Sequence, residues 1–382
     1  MGKLLFDLVA CQSSRNTMNH GGKEYGEAVF FETMKRDVDL VGLYNPDLEI
    51  EQRILDYFKE RGELINIKEH SLQDLINTGD YCVFYSPLPY NFHNINWGKT
   101  VFVGNLHGLR PVEAFTDKYE YKYSNNFKSY IKAKIKSLKF VERKKKKEFL
   151  DNIGKIINNP SFVCITGSEH SKFALLNYYP TVPSDNIAVF YDPLEILDVN
   201  GDEGSNHEKY YLLVSGNRWL KNTYRGIVAI DQLISAGLFN SKVIVTGTIP
   251  NMRYLKEIKN KESFVFKSYV SSSELASLYK NAYCLVFLSL SEGFGYPPLE
   301  AISRGTPVVC SPLTALYEVY QNGVLYCNPF SIEDIKVKIL EMEDSTIHER
   351  YEKHGIEHGK RMIERQKEEL PKLVDFILSY CK

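Results

Sequence analysis

Short apolar runs alternate with amphipathic stretches along the whole chain. In the first half, Lys3–Ala10, Asp39–Tyr44, Tyr81–Tyr85, Thr100–Gly104, Phe162–Thr166 and Ile187–Phe190 read as strands, with helices between them such as Lys23–Met34, Glu51–Glu60 and Ser168–Tyr178. The second half repeats the rhythm with strands at Lys209–Val214, Lys242–Thr246, Cys284–Leu288 and Thr306–Cys310. Runs such as YYLLVSG and YCLVFLS are apolar almost throughout, which suits strands covered on both faces. Strands alternating with helices predict α/β domains with doubly wound parallel sheets. At 382 residues the chain is too long for one ordinary core and fits two domains. The acidic, Gly- and Pro-containing stretch Asp192–Glu208 separates the two series and is the expected boundary. Ser345–Lys382 is charged and helical, with Pro371 expected to break it in two.

Composition narrows the class. Hydrophobic residues make up 43% and charged residues 25%, as in an ordinary globular protein. No apolar run reaches the roughly 18 residues of a membrane span, and MGKLLFDLVACQ reads as a buried strand rather than a signal peptide. Seven scattered cysteines without a CxxC pair suggest neither a disulfide framework nor a zinc site, so a reducing cytoplasm fits.

Two stretches carry chemistry. In Ser289–Cys310, SLSEGFGYPPLEAISRGTPVVC, a strand is followed by a loop with Gly293 and Gly295, then by a short helix opened by Pro297 and Pro298 and closed by Gly305. Glycines before a helix N-terminus let backbone N–H groups approach a ligand, and the helix dipole favours oxygen-rich or anionic groups there. Glu292 precedes the loop and Glu300 is expected near the first turn, so two hydroxyl-accepting carboxylates would flank one bound molecule. Read alone, the pattern also fits an ordinary helix start with a dipole-favouring acid. In Val214–Ile234, VSGNRWLKNTYRGIVAIDQLI, a strand ends at Ser215–Gly216 and Asn222 is the expected N-cap of a helix. Arg218 and Lys221 flank that start and could hold a diphosphate, with Arg225 a weaker substitute; solvent-facing loop cations are the alternative.

The frame EGFGYPPLEAISRGTPVV, with two glutamates eight positions apart, resembles the signature of family 4 glycosyltransferases of the GT-B fold. The flanks SYVSSSELASLYKNAYCLVFLS and SPLTALYEVYQNGVLYCNP follow the same family, so the resemblance covers nearly all of Tyr210–Leu340. It implies two Rossmann-like domains facing across a cleft: an acceptor-side domain at 1–195, a donor domain at 205–360, and a final helix at 361–382 that crosses back. It also implies retaining, metal-independent hexosyl transfer from a UDP- or GDP-sugar to a saccharide, lipid-linked saccharide or other hydroxyl acceptor, without a separate cofactor, as in polysaccharide biosynthesis. Glu300 would hold the donor ribose, Glu292 would contact the sugar, and the N–H groups of Phe294, Gly295 and Tyr296 would orient it. Lys221 matches the family's cation pair well; Arg218 is offset by the local spelling LKN. His20–Tyr25, HGGKEY, resembles the family's glycine loop and would bring Gly21 and Gly22 close to the phosphates. Val101–Glu113, VFVGNLHGLRPVE, resembles the segment that ends in His-Asp, placing His107 near the reacting centre, although Gly108 stands where Asp is usual. In SEHSK, Ser168 is a natural N-cap, and Glu169, His170 and Lys172 are open between structure and acceptor contact. A catalytically silent subunit of the same fold is the alternative function, and a phosphorylase or epimerase a third reading.

Net charge is −1, yet Tyr121–Lys155 holds twelve Lys/Arg against three acids, a local +9. Within it, Phe127, Ile131, Ile135, Leu138 and Val141 of residues 127–147 recur at helical spacing among lysines. Such a helix either packs its apolar stripe inward or lies on an anionic membrane, here the inner face. No nucleic-acid module accompanies it. His354–His358, HGIEH, matches a metallopeptidase pattern only formally.

Overall fold

A computed structural model describes residues 2–13, 21–196 and 209–381; His20 of the HGGKEY stretch and most of the expected Asp192–Glu208 boundary lie outside the described residues. The chain divides into two compact units. One comprises Met1–Leu109, Glu148–Glu195 and Ile363–Lys382, the other Arg110–Lys147 and Ile196–Met362.

Among the described residues the first unit holds a sheet of seven parallel strands. They are β1 (Lys3–Asp7), β2 (Leu40–Tyr44), β3 (Glu63–Asn66), β4 (Tyr81–Ser86), β5 (Val101–Asn105), β6 (Phe162–Thr166) and β7 (Ile187–Val189), in spatial order β3-β2-β1-β4-β5-β6-β7. The expected strand Lys3–Ala10 stops at Asp7, after which Leu8–Cys11 tightens into a 3-10 turn. Leu4, Phe6, Val83, Tyr85, Val103 and Ile165 form the sheet's side of a core with Val29 and Phe30 of the helix Gly21–Thr33. Leu373, Val374 and Ile377 join this core from the chain's last helix. That helix runs unbroken from Ser345 to Leu378, so Pro371 does not divide it. A proline removes one backbone donor; here burial of the residues beyond it outweighs that loss, and Arg36 Nε holds the next turn through Asp375 at 2.9 Å.

The second unit holds six parallel strands: β8 (Tyr210–Leu213), β9 (Lys242–Val245), β10 (Phe264–Phe266), β11 (Cys284–Phe287), β12 (Val308–Cys310) and β13 (Leu325–Tyr326). Their order is β10-β9-β8-β11-β12-β13. Tyr211, Leu213, Val243, Val245, Val286 and Val309 pack with Ile227, Ile230 and Leu233 of the helix Thr223–Ser235 and with Ile335 and Ile339 of Ile332–Glu343. In both sheets the connections run outward from a central pair, β1/β4 and β8/β11. Doubly wound folds place ligands beyond the carboxyl ends of such a pair.

Candidate active site

In the second unit, Lys221 follows β8 in the turn Trp219–Lys221, and Glu292 follows β11. Because β8 and β11 are neighbours, residues far apart in sequence meet at the switch point. The two loops are stitched by Leu290 N–H donating to the Leu220 carbonyl at 2.8 Å and Ser289 Oγ donating to the same oxygen at 3.2 Å. Lys221 Nζ donates to Glu292 Oε1 at 2.5 Å, Ser289 Oγ donates to that carboxylate oxygen at 2.6 Å, and Glu292 N–H donates to Thr314 Oγ1 at 2.9 Å.

The electrostatics are one-sided. Burial alone would raise the Glu292 carboxyl, but the charges of Lys221 and Arg110 and the hydrogen bonds from Lys221 and Ser289 hold it below the usual carboxylate range. Burial lowers Lys221 below the usual ammonium range, opposed by Glu292 and assisted by Arg218 and Arg110. Arg218 is exposed, yet partial desolvation and the charge of Arg110 lower it, opposed by Glu292. Three cations therefore act on one buried carboxylate. A pocket with surplus positive charge can receive an anion that takes over part of the carboxylate's role. Arg110 was not singled out by sequence reasoning; its only signal was a cation in the quoted segment VFVGNLHGLRPVE. Glu113, three residues on, accepts from Ser291 Oγ at 3.0 Å and fixes the same loop.

Other expected residues fall as follows. Gly295 is the N-cap of the helix Tyr296–Ile302 with φ +95°, and a Cβ there would lie 2.7 Å from Leu316 Cδ2, so both backbone and space call for glycine. Tyr320 OH, wholly buried, donates to the Gly295 carbonyl and accepts from Leu299 N–H at 3.1 Å, holding the loop to the helix. Phe294 is buried and its ring centroid is 5.8 Å from that of Tyr296. Glu300 is half-buried and sits in the helix's second turn, since no acid falls in the first.

Asn222 occupies the N-cap position of Thr223–Ser235 but makes no side-chain cap. With φ +57°, it donates from Nδ2 to the Pro329 carbonyl at 2.7 Å and accepts from Arg225 Nη1 at 2.7 Å. Arg225 is committed elsewhere: it is buried and pairs with both oxygens of Asp117 at 2.8 and 3.1 Å, so it is no substitute for Arg218.

In the first unit, Gly21 and Gly22 open the helix Gly21–Thr33 rather than lying in a loop before it, and Gly22 lets that helix approach Leu88. His107 is buried; Nδ1 faces Asp192 Oδ2 at 3.2 Å, Nε2 faces the Pro87 carbonyl at 3.0 Å, and Tyr25 meets the ring edge-on at 4.7 Å. Gly108 has φ +121°, a conformation that favours glycine over the aspartate usual there. Ser168 caps the helix Glu169–Tyr178 as expected, placing Glu169, His170 and Lys172 at its start. Asp7 was missed. It ends β1, accepts from Ser86 Oγ at 2.7 Å, and is pushed up to about 6 by burial. Its signal was one acid inside an apolar run. In the HGIEH stretch, His358 is buried and its Nε2 meets the Val319 carbonyl at 2.7 Å, a structural engagement.

Residues 200–369 match the family model described as Glycosyl transferases group 1. That match covers less than half of the chain, and the two parallel sheets have the GT-B fold. The O-antigen chain mannosyltransferase RfbU of Salmonella typhimurium is 34% identical over 154 residues, 39% of this chain and 42% of the relative. O-antigen chain mannosyltransferase B of Escherichia coli is 37% identical over 97 residues, 25% of this chain and 26% of that protein. The matches thus span less than half of either relative. Sucrose-phosphate synthase from Thermosynechococcus elongatus superposes with a TM-score of 0.68 at 14% identity, covering 99% of this chain and 100% of that one. HepE of Anabaena, solved with UDP-glucose, gives 0.67 at 13% identity, with 99% and 100% covered. At such identities the likeness concerns the fold. No helix among the described residues is long and apolar enough to cross a membrane.

Proposed function

We propose that this chain is a retaining hexosyltransferase that moves a sugar from a nucleoside-diphosphate donor to a hydroxyl acceptor in cell-surface polysaccharide or glycoconjugate synthesis. The observation that carries the reading is the convergence of Lys221, Arg218 and Arg110 on Glu292 at the β8/β11 switch point. Cleavage of the glycosidic bond leaves negative charge on the diphosphate, and cations already fixed around a buried carboxylate would stabilise that charge as it develops. They supply positive charge from side chains, in keeping with a reaction that needs no metal. On donor binding, Lys221 would exchange part of its bond to Glu292 for a phosphate oxygen, freeing the carboxylate to meet the sugar. Glu300 would hold the ribose, the Phe294–Tyr296 backbone would orient the sugar, Gly21 and Gly22 would approach the phosphates, and His107 would lie near the reacting centre. The mannosyltransferase names of the relatives favour a mannose-bearing donor.

Incubating the protein with GDP-mannose and a set of UDP-hexoses, and reading nucleoside diphosphate release and acceptor mass, tests this reading. Release from one donor, with sugar added to an acceptor in the retained anomeric configuration, is the expected result. Absence of release and of nucleotide binding would leave a catalytically silent member of the fold.

A further inference from the structure

The helix Phe127–Lys136 has no buried residue along its ten positions. Its apolar stripe faces outward: Phe127 is 72%, Ile131 39% and Ile135 50% exposed; the helix expected over 127–147 is broken after Lys136, and Leu138 in the break and Phe140 in the next helix, Lys139–Ile157, are 45% and 70% exposed. The inward side carries a lysine instead. Lys136 Nζ donates to Glu120 Oε1 at 2.8 Å and lies 4.6 Å from the Trp219 ring centroid. An ordinary surface helix does the reverse. Exposed Lys128 and Lys132 share the helix with the stripe, and exposed Lys139, Arg143 and Lys144 lie on the next one, within the segment whose surplus charge is +9. At the helix's start a cavity of about 500 Å³ is lined by Phe127, Tyr130, Arg253 and Lys256, with the Arg253 guanidinium 4.2 Å above the Tyr130 ring.

We infer that this face seats the protein on an anionic lipid bilayer, the apolar stripe entering the acyl boundary and the flanking lysines and the Arg253 cavity meeting phosphate headgroups. Apolar side chains ringed by flexible cations suit that interface, because lysine stems lie along the apolar surface while their ammonium groups reach the headgroups. A second copy of the chain fits poorly, since two such faces would bring like charges together. The seat belongs to the unit that holds Lys221 and Glu292. This inference goes beyond the proposed function and does not depend on it.

The test is co-sedimentation of the full chain with phosphatidylcholine vesicles, with and without phosphatidylglycerol, at low and high salt, with no sugar donor present. We expect binding only to the anionic vesicles, release by salt, and at least a roughly tenfold weaker partition for the triple variant Phe127→Ser, Ile131→Ser, Ile135→Ser. These side chains are exposed, so the variant should keep the wild-type unfolding curve, and Lys128→Glu with Lys132→Glu provides a second, charge-only loss. Failure to bind anionic vesicles at low salt, or undiminished binding by both variants, overturns the inference. So does a dimer in sedimentation velocity that the triple variant abolishes, which would make the face a contact between copies.

Discussion

Replacing Glu292 by Gln should strand a charge. The side chains of Glu292 and Lys221 are 8% and 10% exposed, their ion pair is 2.5 Å long, and Arg218 and Arg110 add further positive charge around them. Removing one member of a buried pair costs roughly 3–5 kcal/mol, because the other charge stays desolvated. Glutamine keeps the volume and can still accept from Lys221 and Ser289, so the lower end, about 3 kcal/mol, is expected. Adding Lys221→Met removes the stranded ammonium, and the double variant should lose less than the sum of the singles, with a coupling of about 1–3 kcal/mol. Trp219 lies two residues before Lys221, while Trp97 belongs to the other unit. Urea unfolding followed by Trp219 emission in a Trp97→Phe background therefore reports on the right unit. Pyrophosphate should stabilise Glu292→Gln more than the parent, since an anion that binds the native pocket shifts unfolding by mass action. Additive losses with no anion effect would show that the pair is not the closed electrostatic unit described here.

Two further outcomes follow from local chemistry. Asp7 has a pKa raised from 3.8 to about 6, so the native chain keeps a proton that the unfolded chain releases between about pH 4 and pH 6. Stability should fall as pH rises through that window, by about 3 kcal/mol at roughly 1.4 kcal/mol per unit. Asp7→Asn should match the parent below pH 4 and exceed it above pH 6, and parallel curves from denaturant melts would contradict this. Gly295→Ala places a Cβ against Leu316 at a positive φ and should cost about 1–3 kcal/mol by the Trp219 signal; no change would mean that the loop relaxes freely.

Much of the fold was legible because its strands are buried on both faces. Phe162–Thr166 was read with its observed bounds, as a run apolar up to its last residue. The edge strands Leu325–Tyr326 and Phe264–Phe266 were not, since two or three residues carry no period. Pro371 misled because local propensity says nothing about the core that Leu373, Val374 and Ile377 enter. Lys221 and Glu292 were each legible from local patterns, a cation before a helix and an acid before a glycine loop. Their direct pairing was not, because it depends on β8 lying beside β11. Arg110 was hidden for the same reason: its segment shows no local sign of reaching that switch point. The outward stripe of Phe127–Lys136 was legible as a period, but which side faced water required the packing of Lys136 against Trp219.

Donor turnover in Lys221→Ala and Glu300→Ala, read by mass spectrometry with GDP-mannose and UDP-hexoses, tests the proposed chemistry most directly. We expect the parent to release nucleoside diphosphate from one donor, Lys221→Ala to lose about 10²-fold or more in turnover, and Glu300→Ala to weaken donor binding. Parent-like turnover and donor binding in both variants would contradict the assignment of the β8/β11 switch point as the donor site.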